Sequence, residues 1–425
     1  MSLPTERPRF AAALRLWLLL GCIGFGGPAG QIAVMHAELV EKRRWIDERT
    51  FLRALDLCML LPGPEAMQLA TWLGWRLHGL RGGLAAGALF VLPGAVLLAA
   101  LAWTYLRFGH LPLAGAIAFG LQAAVLGLIA HALQRIGTRV LRTPLAFVLA
   151  AFAFVALAAG RWPFPAVLAC AALAGAVAWR LSPRSPAGGE DIPMDVPEPA
   201  APSYARAALV AGALLAAWWL PLLAVAHRLG FDSTAWAMGR FFSQAALVTL
   251  GGAYAVLPYV AERAVHAHGW LDAAQMMTGL GLAETTPGPL ILVLEFVGFV
   301  GGWQHPDLAS PVASALLGAA VAVWATFLPS FLFVLTLAPW VERIGRHGVL
   351  SAMLGGITAA VVGVIAQLGV WFGARLLAAH DTATGALALA IAALAWLLVG
   401  WCRWPVYAVV PGLAALAALA RPLAG

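Results

Sequence analysis

The sequence predicts an all-α integral membrane protein built from two homologous repeats, the second inverted relative to the first, with about 13 membrane segments. Composition is the first observation behind that expectation. Hydrophobic residues make up 62% of the 425-residue chain and charged residues only 11%, and mean hydropathy is +0.87. A soluble globule carries about 25% charged residues, so lipid must be the main solvent. The second observation is an internal repeat. Gly26, Gly27, Trp45, Asp47, Pro62, Gly63 and Pro64 recur 225 positions later as Gly251, Gly252, Trp270, Asp272, Pro287, Gly288 and Pro289. The third is that helix-breaking glycines and prolines sit inside apolar stretches at matched places in both copies, an outline shared by secondary transporters.

In chain order, Met1 to Phe10 is short and polar and runs straight into an apolar stretch. It is expected to be a cytosolic tail ahead of a retained first helix. Apolar stretches of about 20 residues, enough to cross a bilayer, follow at 11–34, 55–77, 82–106, 111–134, 143–160, 162–179, 207–227, 236–260, 275–300, 312–339, 349–374, 384–402 and 404–420. After an insertion around His305-Pro306-Asp307 the repeat resumes at an offset of 236, matching Leu92-Pro93 to Leu328-Pro329 and Ala123-Ala124-Val125 to Ala359-Ala360-Val361. A last block, Arg161-Trp162-Pro163, returns as Arg403-Trp404-Pro405 at an offset of 242. The expected division is therefore a first repeat at 1–180, a linker at 181–205, and an extra helix plus the second repeat at 206–425. The linker holds Pro183, Pro186, Pro193, Pro197, Pro199 and Pro202, a density that no packed element tolerates.

The stretch 207–227 has no counterpart in the first copy. If every stretch spans, seven crossings separate the first from its repeat at 236–260, and an odd number inverts the second copy. The basic cluster Lys42-Arg43-Arg44 with Arg49 and Arg53 then falls outside, against the positive-inside tendency. If 55–77 instead turns back near Pro62-Gly63-Pro64, the cluster moves inside and the copies become parallel. The repeat logic favours inversion.

Pro62-Gly63-Pro64 and Pro287-Gly288-Pro289 should each break a helix at mid-membrane, since proline removes a backbone donor and glycine accepts positive φ. In lipid such a break survives only when it is buried in protein or lines a cavity. The half-helix beyond it offers free N–H groups to an oxyanion; a plain packing kink is the other reading. Gly26-Gly27-Pro28 and Gly251-Gly252 form a second matched pair, serving either as breaks or as close helix contacts. The polar segments His36–Arg53 and Glu262–Asp272 suggest interfacial helices anchored by Trp45 and Trp270. Glu65, Glu284 and Glu295 lie inside apolar stretches, where an acid is paired, protonated or part of an ion pathway. Glu65 and Glu284 either carry protons alongside a bound anion or cap half-helices. Thr285 and Thr286 offer hydroxyls to an oxyanion, or bond their own backbone.

The net charge of +7 lies in short inter-helix loops, which points to topology and lipid headgroups and away from nucleic acid. Cys22, Cys58, Cys170 and Cys402 are isolated and have no ligand spacing, so they are expected to pack as small hydrophobes. No nucleotide-cradling, metalloprotease or His/Cys/Asp cluster motif is present, and His266 with His268 is a weak metal signal. Neither an enzyme, a cofactor nor a metal is expected.

The blocks Phe25-Gly26-Gly27-Pro28, Glu41-Lys42-Arg43-Arg44-Trp45-Ile46-Asp47 and Leu61-Pro62-Gly63-Pro64-Glu65-Ala66 closely resemble the chromate ion transporter family in its long, two-domain form. So do Gly251-Gly252-Ala253-Tyr254, Leu257-Pro258, Gly269-Trp270-Leu271 and the run from Gly281 through Glu284-Thr285-Thr286 to Pro289. The resemblance covers both halves and implies an inner-membrane exporter of chromate, with sulfate as structural analogue, antiparallel halves and room for a homodimer. Two alternatives are an oxyanion channel and a transporter of sulfate or another anion. A lipid-active membrane enzyme would need polar catalytic clusters in its loops, and these are absent. Leu250 stands where the family often has Phe, and Glu295 where a neutral residue is expected.

Overall fold

The computed structural model describes residues 8–160, 162–181, 204–250, 252–338 and 348–420, and among these there are helices and turns but no strand. Gly251, Arg161 and most of the expected linker (182–203) lie outside the described residues. Helix is what an apolar chain forms in hydrocarbon, because it satisfies every backbone polar group within the segment. The first repeat comprises α1 (Phe10–Ile23), α2 (Gly27–His36), α3 (Glu48–Leu60), α4 (Glu65–Phe108), α5 (Pro112–Val140), α6 (Pro144–Ala158) and α7 (Phe164–Leu181). A single helix, α8 (Tyr204–Leu229), precedes the second repeat. That repeat comprises α9 (Thr234–Val248), α10 (Ala253–Glu262), α11 (Ala273–Thr285), α12 (Val293–Gln304), α13 (Pro311–Leu337), α14 (Gly348–Ala378), α15 (Thr382–Gly400) and α16 (Val406–Ala420). The copies match in order, with α4 standing for α12 and α13 together, down to π-helical turns at 37–42 and 263–267.

α4 is not one rod. Its 44 residues would reach roughly 66 Å, twice a hydrocarbon core, and the chain folds back at His78 and Gly79, where φ is 63°. The two arms then pack through small residues: Gly74 lies against Gly82 and Ala86, and Gly83 and Gly87 lie against Thr71. In the second copy two separate helices make the same hairpin, with Gly298 against Gly318 and Ala322 and Gly302 against Ser314. Small residues let backbones approach where lipid supplies no hydrophobic drive.

The broken segments turn back instead of crossing. α11 runs inward and α12 returns beside it, so that Gln304 Nε2 donates to Gln275 Oε1 at 3.1 Å and His305 Nε2 pairs with the Gly269 carbonyl at 3.0 Å. α9 and α10 also form a hairpin: Phe241 meets Tyr259 at 5.4 Å, then Trp270 beyond it at 5.6 Å. The start of α9 lies at that same face, where the N–H groups of Thr234 and Ala235 donate to Asp307. In the first copy the start of α1 meets the α4 fold-back, through His78 Nε2 and the Pro8 carbonyl at 2.8 Å. The sequence left 55–77 and 275–300 open between spanning and re-entering, and both re-enter. The stretches 11–34 and 236–260, expected to cross, re-enter as well.

Equivalent helices of the two copies run antiparallel where they meet. Gly83 faces Leu335 and Gly87 faces Phe331, so α4 and α13 descend past each other; Gly137 faces Val362 and Gly369 faces Ile129, so α5 and α14 do too. A two-fold relating antiparallel equivalents lies across the helix axes, in the membrane plane, and the repeats are therefore inverted. α8 supplies the odd crossing. It runs antiparallel to α9, with Trp218 Nε1 donating to Ser243 Oγ at 3.0 Å and Leu222 beside Gly239. With both early segments of the first copy re-entrant, the basic cluster at 42–53 shares a face with the N-terminus while the copies stay inverted. The two choices weighed from sequence each had one half of this.

The polar segments at 36–53 and 262–272 are π-helical turns followed by caps, not continuous interfacial helices. Trp270 is buried, stacked on His268 at 4.2 Å, while Trp45 is half-buried under Arg43. Asp47 and Asp272 are N-caps: each accepts from the backbone N–H three residues on, and Asp272 completes a capping box with Gln275. Burial pushes the Asp47 carboxyl up, but the Thr50 bonds and the Arg76 charge outweigh it and leave it below the usual carboxylate range. That cap therefore holds at neutral pH and is lost as pH falls through the lowered value. Cys58 is buried, whereas Cys22 and Cys402 are exposed.

This topology is testable by impermeant thiol labelling of single cysteines. Positions Lys42 and Arg81 are expected to label from one face, and His266 and Leu308 from the other. Labelling of Lys42 and Arg81 from opposite faces would mean that 55–77 crosses.

Candidate functional site

Four breaks meet at the centre. Each holds a glycine in the left-handed region: Gly27 at φ 69° and its counterpart Gly252 at 97°, Gly63 at 126° and its counterpart Gly288 at 100°. A side chain is strained at such angles. Gly26, at φ 84°, joins Gly27 in the first break, and Pro28 opens α2 just after it. Gly251 lies outside the described residues.

The breaks clasp across the repeats in a reciprocal pair. Gly63 N–H donates to the Thr249 carbonyl at 2.8 Å, and Gly288 N–H donates to the Gly24 carbonyl at 3.0 Å. The offset of 225 converts one bond into the other. A second reciprocal contact seats it, with Gly94 against Gly288 and Ser330 Oγ against Gly63, again equivalent pairs. Such self-complementarity is what a two-fold imposes.

The helices that begin at these breaks have no side-chain cap. α2 at Gly26, α4 at Pro64, α10 at Gly252 and the 3-10 turn Leu290–Leu292 at Pro289 all start this way. Away from the breaks, α3, α6, α9, α11, α13 and α15 are capped by Asp47, Thr143, Ser233, Asp272, Ser310 and Asp381, whereas α1 at Arg9 and α5 at Leu111 also start without a side-chain cap. The uncapped N-termini keep donors and a partial positive charge at mid-membrane, the local chemistry an oxyanion requires. Gly26 is exposed, and Gly27, Pro28, Pro62, Glu65, Gly252 and Thr285 are half-buried; Gly63, Pro64, Thr286, Pro287, Gly288 and Pro289 are buried.

The acids separate. Glu65 Oε1 lies beside Gly252, 3.5 Å from where a Cβ would stand. Glu284 is buried and accepts from the Tyr254 hydroxyl. Thus two acids from opposite repeats border the start of α10. Glu295 is buried in α12 apart from that pair, and its Oε2 has no partner. The threonine hydroxyls are turned to the backbone: Thr285 Oγ1 donates to Leu282 O at 2.8 Å and Thr286 Oγ1 to Ala283 O at 3.0 Å. In this arrangement they close the end of α11. Among the described residues no group of three His, Cys, Asp or Glu side chains could hold a metal.

Sequence reasoning missed Gln31 and Gln68. Gln31 Nε2 donates to Gly24 O at 3.1 Å and to Gly288 O at 2.5 Å, joining a break of one repeat to a break of the other. Gln68 Nε2 donates to Pro62 O at 2.7 Å. Their counterparts are Val256 and Val293, so the first repeat alone carries these amides. Polar residues inside apolar stretches were the available signal.

The chromate transporter family model matches residues 11–176 and 236–419. The chain is 33% identical over 371 residues to the chromate transport protein of Pseudomonas aeruginosa, covering 86% of this chain and 80% of that one. It is 31% identical to the chromate transport protein of Cupriavidus metallidurans, covering 89% and 86%. To a probable chromate transport protein of Synechococcus elongatus it is 29% identical, covering 90% and 88%. No solved structure matches.

Gln31→Leu leaves two buried carbonyls without this donor. Unfolding in mixed micelles should show a loss of about 1–3 kcal/mol, whereas Val256→Leu, at the equivalent position, should lose less.

Proposed function

We propose that the chain, which belongs to the chromate transporter family, is a secondary transporter that exports chromate across the cell inner membrane and so confers chromate resistance. Sulfate is the structural analogue it would also admit. The observation that carries this reading is the convergence of uncapped half-helix N-termini on one reciprocal clasp at mid-membrane. Inverted repeats joined there can exchange conformations, which opens the same site to either side in turn. The N-terminal face, carrying Lys42, Arg43, Arg44, Arg49, Arg76 and Arg81, is the cytosolic one by the positive-inside tendency. The substrate-binding residues are assigned to Gly26, Gly27, Pro28, Pro62, Gly63, Pro64, Gly251, Gly252, Thr285, Thr286, Pro287, Gly288 and Pro289, the threonines serving once they release their helix carbonyls. The transporter acts without enzymatic turnover, and two copies associate as a homodimer.

A dianion leaving a cell gains about 2.3 kcal/mol per charge per 100 mV, roughly 4.6 kcal/mol in all. At about 1.4 kcal/mol per tenfold that sustains a gradient on the order of a thousandfold, so efflux needs no nucleotide. Protons on Glu65 and Glu284 would lower the charge moved and the repulsion at the start of α10.

Labelled chromate should accumulate in inverted vesicles, saturate, and show counterflow; a flux that neither saturates nor exchanges would indicate a channel. Gly63→Leu and Gly288→Leu should insert normally and abolish that uptake, because Ser330 and Gln68 fill the space at Gly63 and Leu292 that at Gly288. Normal uptake in either would reduce the breaks to packing kinks. Glu65→Gln should alter the pH dependence of the rate and not only its size. Unchanged pH profiles in both Glu65→Gln and Glu284→Gln would remove protons from the mechanism.

A further inference from the structure

The turn between α6 and α7 leans on the end of α10 that lies away from the clasp. Phe164 stacks on Tyr259 there, with ring centroids 5.3 Å apart and planes 18° apart, so the two repeats touch at this place as well. Beside the stack lies a cavity of about 440 Å³, lined by Trp162 and Phe164 of the first repeat and by Tyr259, Glu262, Arg263 and Gln367 of the second. Arg263 opens the π-helical turn at 263–267, and its Nε is buried without a hydrogen-bond partner. Buried polar groups in folded proteins are satisfied, and an orphan signals a missing ligand or water. Glu262, the preceding residue, is exposed in the same cavity, and among the described residues neither side chain enters an ion pair. The cavity therefore offers a guanidinium and a carboxylate separately, against three aromatic rings.

The scaffold does not call for these groups. Tyr259, Glu262 and Arg263 have Val34, Ala37 and Glu38 as counterparts in the first repeat, and Glu38 is engaged by Lys42 at 2.6 Å and by Arg43 at 3.4 Å. The position in the membrane narrows the ligand. α6 has 15 residues and is roughly 22 Å long, shorter than a hydrocarbon core of about 30 Å. The turn that follows it thus stays within reach of lipid headgroups, and Trp162 is exposed there, a level that tryptophan favours. The cavity is far larger than a tetrahedral oxyanion, and the carboxylate of Glu262 opposes a free dianion.

We propose that this cavity binds the headgroup of a zwitterionic phospholipid. The phosphate accepts from the Arg263 guanidinium in a charge-assisted bond, and the ammonium lies against the Glu262 carboxylate and the faces of Trp162 and Tyr259. A headgroup so held joins the two repeats on the face opposite the N-terminus, at the far end of the helix that begins at the Gly252 break. An anionic lipid would satisfy Arg263 but leave Glu262 facing a second negative charge.

The test uses the full-length protein, delipidated in detergent, with no transport step. Phosphatidylethanolamine, phosphatidylglycerol of the same chains and sodium sulfate are added in turn, and binding is read by native mass spectrometry and thermal melts. Phosphatidylethanolamine is expected to give one saturable adduct and to raise the melting temperature, with phosphatidylglycerol bound about tenfold more weakly. Arg263→Gln should weaken phosphatidylethanolamine by about tenfold, the worth of one hydrogen bond to a charged group. Glu262→Gln should bring it to the level of phosphatidylglycerol. Without added lipid both variants should melt as the wild type does, because neither side chain has a partner in the protein; a lower melt in either would show an internal role and overturn the proposal. Equal binding of the two lipids, or phosphatidylethanolamine binding unchanged in both variants, would overturn it too. Stabilisation by sulfate that Arg263→Gln removes would assign the cavity to a free anion instead.

Discussion

The rest of the structure depends on one constraint: backbone broken in the middle of a membrane must find partners there. Glycine and proline at 62–64 and 287–289 stop the helices, and water is not at hand to satisfy what they release. Each break instead borrows from the other repeat, Gly63 from Thr249 and Gly288 from Gly24. An unsatisfied amide in hydrocarbon costs several kcal/mol, so neither repeat can bury its breaks alone. The clasp accordingly fixes how the copies meet, and the tight glycine contacts within each hairpin, such as Gly74 on Gly82 and Gly298 on Gly318, fix how each break is presented. The starts of α2, α4, α10 and the 3-10 turn, all without a side-chain cap, gather around this clasp.

Much of this was legible in the sequence because the repeat is written in residues with strong backbone preferences. Gly63 and Gly288, each between two prolines, favour a break, whereas Gly27 and Gly252 read equally well as close helix contacts until the structure shows their positive φ. The unpaired helix α8 was legible as well, whereas the count of seven crossings behind the inversion was not right: two of the seven stretches re-enter, and the five that remain are still an odd number. What the chain does after a break was not legible. An apolar stretch interrupted by Pro-Gly-Pro looks the same whether the second half continues across or returns, and the outcome depends on contacts such as Gln304 with Gln275 that join distant positions. The same blindness hid Gln31, whose partner Gly288 lies 257 residues away. Trp270 misled in a different manner: a tryptophan beside polar residues resembles a headgroup anchor, yet here it packs on Gly301 and Phe242. The roles of Thr285 and Thr286 turned on a local choice, since their hydroxyls found helix carbonyls within reach.

Inversion reconciles two demands that conflict if every apolar stretch spans. Re-entry of both early segments keeps the basic cluster on the N-terminal face, and α8 alone reverses the second copy. The departures from symmetry then stand out against a nearly symmetric frame. Gln31 and Gln68 belong to the first repeat, whereas Tyr254, Glu284 and Glu295 belong to the second. Residues shared by both copies build the clasp, and those held by one copy distinguish its two sides.

The lone helix α8 also constrains descent. A gene encoding only one of these repeats could rebuild the clasp only if its product entered the membrane in both orientations, each copy supplying the carbonyl that the other's glycine needs. Once two such genes fused end to end, the joint had to contain an odd number of crossings, or the reciprocal bonds would be lost. On that account α8 is the scar of the fusion, and deleting it would undo the partnership without touching a single residue of the site.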